Sequence, residues 1–209
     1  AGLTEGKLFK QYSLNSVIEE TKEFYDSKGR YNSDITTAVT PQKNNFVSVD
    51  IEIREGPVAR VRDIRFIGNT AFKDRFLQSQ SLFEGNFISN LFLGKNKYSK
   101  EKFEADLENL RNIYQDRGFF EFSIRSKTVE MSEDKKDVVL TITVFEGDRY
   151  RFGDVVTESL EALPEAEMRA LITVIEGDLF SRYLIIESKL AIEEALANAG
   201  FAFAVVNPV

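Results

Sequence analysis

Five of the twelve glycines directly follow a glutamate, at Gly6, Gly56, Gly85, Gly147 and Gly177. Three more end helix-like stretches just before an aromatic: Gly29 precedes Tyr31, Gly118 precedes Phe119, and Gly200 precedes Phe201. The intervals agree: 79 from Gly6 to Gly85, 92 from Gly85 to Gly177, 91 from Gly56 to Gly147, and 89 from Gly29 to Gly118. Signals that return in fixed order at nearly constant spacing mark tandem repeats. Such a chain folds as successive small units, each with its own core.

Superposing the copies gives one unit, clearest in the middle. Arg60–Phe66 reads as a strand stopped by Gly68-Asn69, and Ala71–Leu82 as a short helix ended by Glu84-Gly85-Asn86. Ser99 caps a longer helix whose Phe103, Leu107, Leu110 and Tyr114 form one apolar stripe. Gly118 closes it; a second strand runs from Phe119 to about Met131, and a third from Val138 to Phe145. The order is β-α-α-β-β. The first copy shows a helix near Ser13–Ser27, a strand Tyr31–Thr40, and the alternating Val47, Val49, Ile51, Ile53. The third shows a strand near Tyr150–Val156, helices Pro164–Ile172 and Arg182–Asn198, and a strand Phe201–Val206. Three domains are expected: 1–56, lacking its first strand and helix; 57–147, complete; and 148–209, lacking its last strand. The links Glu55-Gly56-Pro57 and Glu146-Gly147-Asp148 are too short for a flexible tether, so an elongated array is expected. The opening residues show no basic start or apolar core and read as mid-domain, as in an excised piece.

Composition narrows the chemistry. The 209 residues contain no histidine and no cysteine, which removes Ser/His triads, thiol nucleophiles and Cys/His zinc sites. A net charge of −7 gives no reason to expect a nucleic acid. No apolar run approaches membrane-spanning length, so membrane insertion by this segment is not expected. Metals, cofactors and catalytic residues are expected to be absent.

A β-α-α-β-β unit of this size on short links resembles the POTRA domain family. The resemblance rests on Phe66-Ile67-Gly68-Asn69-Thr70-Ala71-Phe72, on Tyr98-Ser99 through Leu107-Glu108-Asn109-Leu110-Arg111, on Tyr114-Gln115-Asp116-Arg117-Gly118-Phe119, and on Val144-Phe145-Glu146-Gly147-Asp148. It covers nearly the whole chain. The third copy departs from it at Ser159-Leu160, where Gly68-Asn69 stood, and at Lys189, where the stripe has Leu107. The resemblance implies an α+β fold of tandem repeats, each a three-stranded mixed sheet covered by two helices, with the second strand at an outer edge. It implies a non-enzymatic periplasmic arm of an outer-membrane protein assembly factor in a Gram-negative cell envelope. Its partners would be accessory lipoproteins of the barrel-assembly complex and unfolded outer-membrane precursors.

An open strand edge offers unpaired N–H and C=O groups to another extended chain. In the middle copy Phe120, Phe122 and Ile124 are apolar at even positions, and Val129 and Met131 at odd ones. That change of phase predicts a β-bulge between Arg125 and Thr128; the alternative is a strand that ends near Lys127, with Val129 and Met131 in a loop. The resemblance adds Phe83, Val129 and Met131 as a lipoprotein-receiving surface, so the expected partner-binding set is Phe83, Phe120, Phe122, Ile124, Val129 and Met131. The first copy's edge, with Tyr31, Ser33, Ile35, Thr37 and Val39, carries only Asp34 as a charge and is a second expected client edge. A secretion-transporter arm of the same family and an acidic hydrolase are the alternatives. The hydrolase lacks a calcium loop, a phosphate-cradling glycine loop and a GxSxG. Because the third copy lacks a central strand, Phe201–Val206 is expected to be disordered or to pair with another chain.

Overall fold

The computed structural model describes residues 4, 6–83, 96–157 and 162–208. The element order begins α1 (Gln11–Ser27), β1 (Asp34–Pro41), a 3-10 turn (Lys43–Asn45), β2 (Val47–Arg54), β3 (Arg60–Ile67) and α2 (Asp74–Ser79). It continues with α3 (Lys100–Gln115), β4 (Ser123–Met131), β5 (Asp137–Phe145), α4 (Glu165–Leu171) and α5 (Arg182–Asn198). β1 and β2 form an antiparallel pair, and the second sheet has the order β3-β5-β4. β4 is therefore an outer strand and β5 the central one, as the α+β family arrangement implies. Two compact units emerge from the contacts: Ala1–Arg65 with Gln78–Asp106 and Lys127–Ile142, and Phe66–Leu77 with Leu107–Ser126 and Thr143–Val209.

In the first unit, α1 carries the fully buried Leu14. Ile35 faces Ile53, Thr37 faces Ile51 and Val39 faces Val49, so one sheet face carries the apolar side chains. Val138, Leu140 and Ile142 of β5 are buried at every second position, the alternation of a sheet with one covered face. Ser99 accepts the Lys102 N–H, so α3 starts with the expected cap.

In the second unit, Phe72 meets Tyr114 and Phe119 edge-on at 4.9 and 5.9 Å, and Tyr114 stacks on Phe122 at 4.2 Å. A separate core joins α4 to α5 through Leu163, Met168, Ile192 and Leu196. Ser181 caps α5 by accepting the Leu184 N–H.

Several boundaries differ from expectation. The strand read from Tyr31 begins at Asp34, because Ser33 N–H closes a turn onto Arg30 O. The strand read from Phe119 begins at Ser123, because Phe122 N–H closes a similar turn onto Phe119 O. The short helix read over Ala71–Leu82 spans only Asp74–Ser79; beyond it the Ser81 hydroxyl and Leu82 N–H both donate to Asp106. Its expected stop at Glu84-Gly85-Asn86, like Ser159-Leu160, lies outside the described residues. The strands expected at 150–156 and 201–206 do not form. A strand exists only by its ladder, and the one bridge in the first is Arg151 to Leu179. The second is held instead by Val206 N–H on Glu193 and by Ala204 and Val206 against the α4–α5 core.

Every described glycine of the recurring contexts has a positive φ, as does Gly68. Two of them build matching joints. In the first unit Gly29 O accepts from Ala59 N–H at 2.8 Å, and Ala59 O accepts from Tyr98 N–H at 2.9 Å. In the second, Gly118 O accepts from Tyr150 N–H at 2.8 Å, and Tyr150 O accepts from Phe180 N–H at 3.0 Å. An aromatic pair closes each: Tyr31 with Tyr98 at 5.6 Å, and Phe120 with Phe180 at 5.1 Å. A Cβ on Gly29 would lie 2.7 Å from Tyr98 O, whereas one on Gly118 would lie 3.3 Å from Tyr150 O. Gly29→Ala is therefore expected to destabilise by about 1 kcal/mol more than Gly118→Ala in thermal melts.

Candidate functional site

β4 owes its accessibility to its place in the sheet. β5 lies on one side of it, and among the described residues no strand lies on the other. Arg125 through Glu130 are all exposed. Successive strand N–H groups point to opposite sides, so every second amide of β4 faces away from β5. Two of its three charges are drawn aside. The Arg125 guanidinium lies 4.6 Å from the Phe145 ring centre, and Lys127 pairs with Glu104 of α3 at 2.5 Å. Phe145 is exposed next to buried Val144 on β5. The strand continues through Met131, which is half-buried, and Val129 is exposed.

The expected partner-binding residues scatter. Ile124, Val129 and Met131 lie on β4. Phe122 is 3% exposed beneath Tyr114, so its side chain belongs to the core and offers nothing to a partner. Phe83 is also buried, stacked near Tyr98 at 6.3 Å and covered by the Lys102 ammonium at 4.3 Å. Phe120 is exposed, but it lies before the strand, packed on Tyr150 and Phe180.

The second edge is divided too. Ile35, Thr37 and Val39 lie on β1, whose side away from β2 bears no ladder among the described residues. Tyr31 and Ser33 precede it. Tyr31 packs on Tyr98 and gives its carbonyl to Lys135, and burial first, then nearby Tyr98, Asp26 and Glu101, pushes its hydroxyl up to about 12. Ser33 is buried and accepts from the Lys22 ammonium.

Sequence reasoning missed the role of Glu146, which it treated as punctuation before Gly147. The buried carboxylate accepts Thr70 N–H at 2.9 Å, the Thr70 hydroxyl, Ala71 N–H at 3.0 Å and the Tyr114 hydroxyl at 2.9 Å. Burial alone would raise its pKa, but the bonds from Thr70, Ala71 and Tyr114 outweigh burial and leave it lowered. Asp106 shows the opposite balance: burial raises it despite bonds from Ser81 and Leu82. Both carboxylates are committed to holding turns. Among the described residues no group of three or more His, Cys, Asp or Glu could hold a metal ion. No helix among them is long and apolar enough to cross a membrane.

Comparison with known proteins gives three findings. The POTRA family model, described as surface antigen variable number repeat, matches residues 1–56, 59–147 and 150–209. The outer membrane protein assembly factor BamA of Neisseria meningitidis serogroup B is 35% identical over 208 residues, covering 99% of this chain and 26% of the relative. BamA of Buchnera aphidicola is 35% identical over 150 residues, covering 71% of this chain and 24% of that protein. The chain thus spans about a quarter of these relatives' length. The crystal structure of Haemophilus influenzae BamA POTRA3-5 matches with a TM-score of 0.49 at 17% identity, covering 90% of this chain and 72% of that one.

Proposed function

Because this chain belongs to the POTRA family, we propose that it is a periplasmic docking arm of an outer-membrane protein assembly factor, organised as repeats 1–56, 57–147 and 148–209. It binds extended segments of outer-membrane precursors and accessory lipoproteins by adding their strands to the β4 edge. The observation that supports this most is the exposed outer strand of the β3-β5-β4 sheet, with Arg125 and Lys127 held off the edge by Phe145 and Glu104. Backbone pairing is tolerant of sequence, which suits many unfolded clients. β1, whose only charge is Asp34, serves as a second edge.

The role requires no catalytic group, and the curated relatives matched along the chain are named as assembly factors rather than secretion transporters. The test uses peptides alone. An extended peptide of alternating threonine and valine should bind the 209-residue chain, whereas the same peptide N-methylated at every amide should bind at least about tenfold more weakly. Equal binding by both peptides would rule out backbone pairing.

A further inference from the structure

A groove of about 590 Å³ opens in the second unit, lined by Glu108, Arg111, Gln115, Phe120, Phe180 and Arg182. We propose that it is a binding site for an acidic, aromatic-bearing extended segment of a partner polypeptide, separate from the β4 edge.

Charge supports the assignment first. Arg111 and Arg182 both converge on one carboxylate: Glu108 receives Arg182 at 2.7 Å and Arg111 at 3.3 Å. The Arg182 hydrogen bond, with both guanidinium charges, holds the Glu108 carboxyl below its usual range. Two guanidiniums against one carboxylate leave a positive groove on a chain whose net charge is −7. Asp116 caps the start of α5, where it accepts from Ser181 Oγ and Tyr183 N–H, and it does not line the groove. Arg182 also donates to Asn112 Oδ1 at 2.9 Å, and the two guanidiniums, with five donors each in a fixed fork, carry more donors than Glu108 and Asn112 can accept.

The apolar wall supports it second. A joint needs an aromatic pair, but not an exposed one. In the first unit Tyr31 is half-buried against Tyr98, whereas the matching Phe120 of the second is left 55% exposed beside Phe180. The open ring faces a groove bearing arginines, the combination that receives an aromatic side chain next to a carboxylate. Gln115 also lines the groove, and its side-chain oxygen is sealed from solvent with no partner. Turning that amide toward a bound chain gives the oxygen a backbone N–H donor.

The proposal shares the binding role inferred above but not its site, so the two can fail separately. The experiment is fluorescence anisotropy on the full 209-residue chain with labelled octapeptides. One alternates phenylalanine with glutamate, one phenylalanine with lysine, and one alanine with glutamate. The first should bind about tenfold more tightly than either of the others, and more weakly as sodium chloride rises from 0.05 to 0.5 M. Phe120→Ala and Arg111→Ala, neither of which opens the core, should each weaken it about fivefold or more. Both variants should keep the parent's circular dichroism spectrum; Arg111→Ala should also melt as the parent does, whereas Phe120→Ala, which gives up its packing on Tyr150 and Phe180, should melt lower. The proposal is overturned if the lysine peptide binds equally well, or if both variants bind as the parent does. An unaffected threonine–valine peptide in those variants would leave edge pairing at β4 standing while the groove assignment falls.

Discussion

Replacing Glu146 by alanine is expected to destabilise the chain by roughly 3–5 kcal/mol, read from the shift of its urea midpoint. The carboxylate is buried and receives four donors: two backbone N–H groups, the Thr70 hydroxyl and the hydroxyl of fully buried Tyr114. Alanine would strand them. An unsatisfied buried donor costs on the order of 1–3 kcal/mol, and water entering the vacated space recovers only part of that. Glu146→Gln keeps the shape but turns one acceptor into a donor facing other donors, so a smaller loss of about 1–2 kcal/mol is expected.

Acid separates the charge from the shape. In the folded state Glu146 titrates below its ordinary value of 4.5. Its contribution is therefore complete above about pH 4.5 and is lost as pH falls through the folded value. The parent should lose stability on acidification through that range, and Glu146→Gln should show a shallower acid limb. Identical limbs would show that the carboxylate is not held in its charged form by Thr70, Ala71 and Tyr114.

Gly68→Ala is expected to be comparably damaging, at roughly 2–5 kcal/mol. Gly68 has φ +90°, and a Cβ there would lie 2.4 Å from Val144 O. The backbone carbonyl belongs to β5, so it cannot swing away as a flexible side chain could. Glycine at this position lets β3 leave the sheet and turn directly into Asn69, whose amide donates to Phe72 O at 3.0 Å and to Asp74 at 2.6 Å. Alanine must either move β5 or unwind the turn whose next two N–H groups reach Glu146. A midpoint within a few tenths of a kcal/mol of the parent would contradict this reading.

These two residues show what the sequence made legible and what it did not. Gly68 could be singled out because a left-handed, crowded position admits almost only glycine, so the requirement is written in one residue type. The same holds for Gly29, Gly118 and Gly147, and the repeat frame rests on them. The central strand was legible because Val138, Leu140, Ile142 and Val144 alternate with polar or less buried neighbours. Helix α5 was legible from end to end. Glu146 was not, because its partners lie 32 to 76 positions away and nothing local distinguishes it from a solvated acid before a turn.

The side chains expected on one partner surface are dispersed for a related reason. Phe120 and Phe122 share the alternation of a strand, yet one packs at a joint and the other beneath Tyr114. An aromatic in a tight turn and one in a strand look alike without their contacts. Phe83 is hidden by Lys102, nineteen positions on, a cover that periodicity does not encode.

The central claim is that an extended partner adds to the outer edge of β4. Amide hydrogen exchange on the 209-residue chain, followed residue by residue with and without the threonine–valine peptide, tests it most directly. On binding, the account predicts slower exchange at alternate amides between Ser123 and Met131, with the amides already bonded to β5 unchanged. Protection confined to the helices, or exchange along β4 unchanged at saturating peptide, would contradict it.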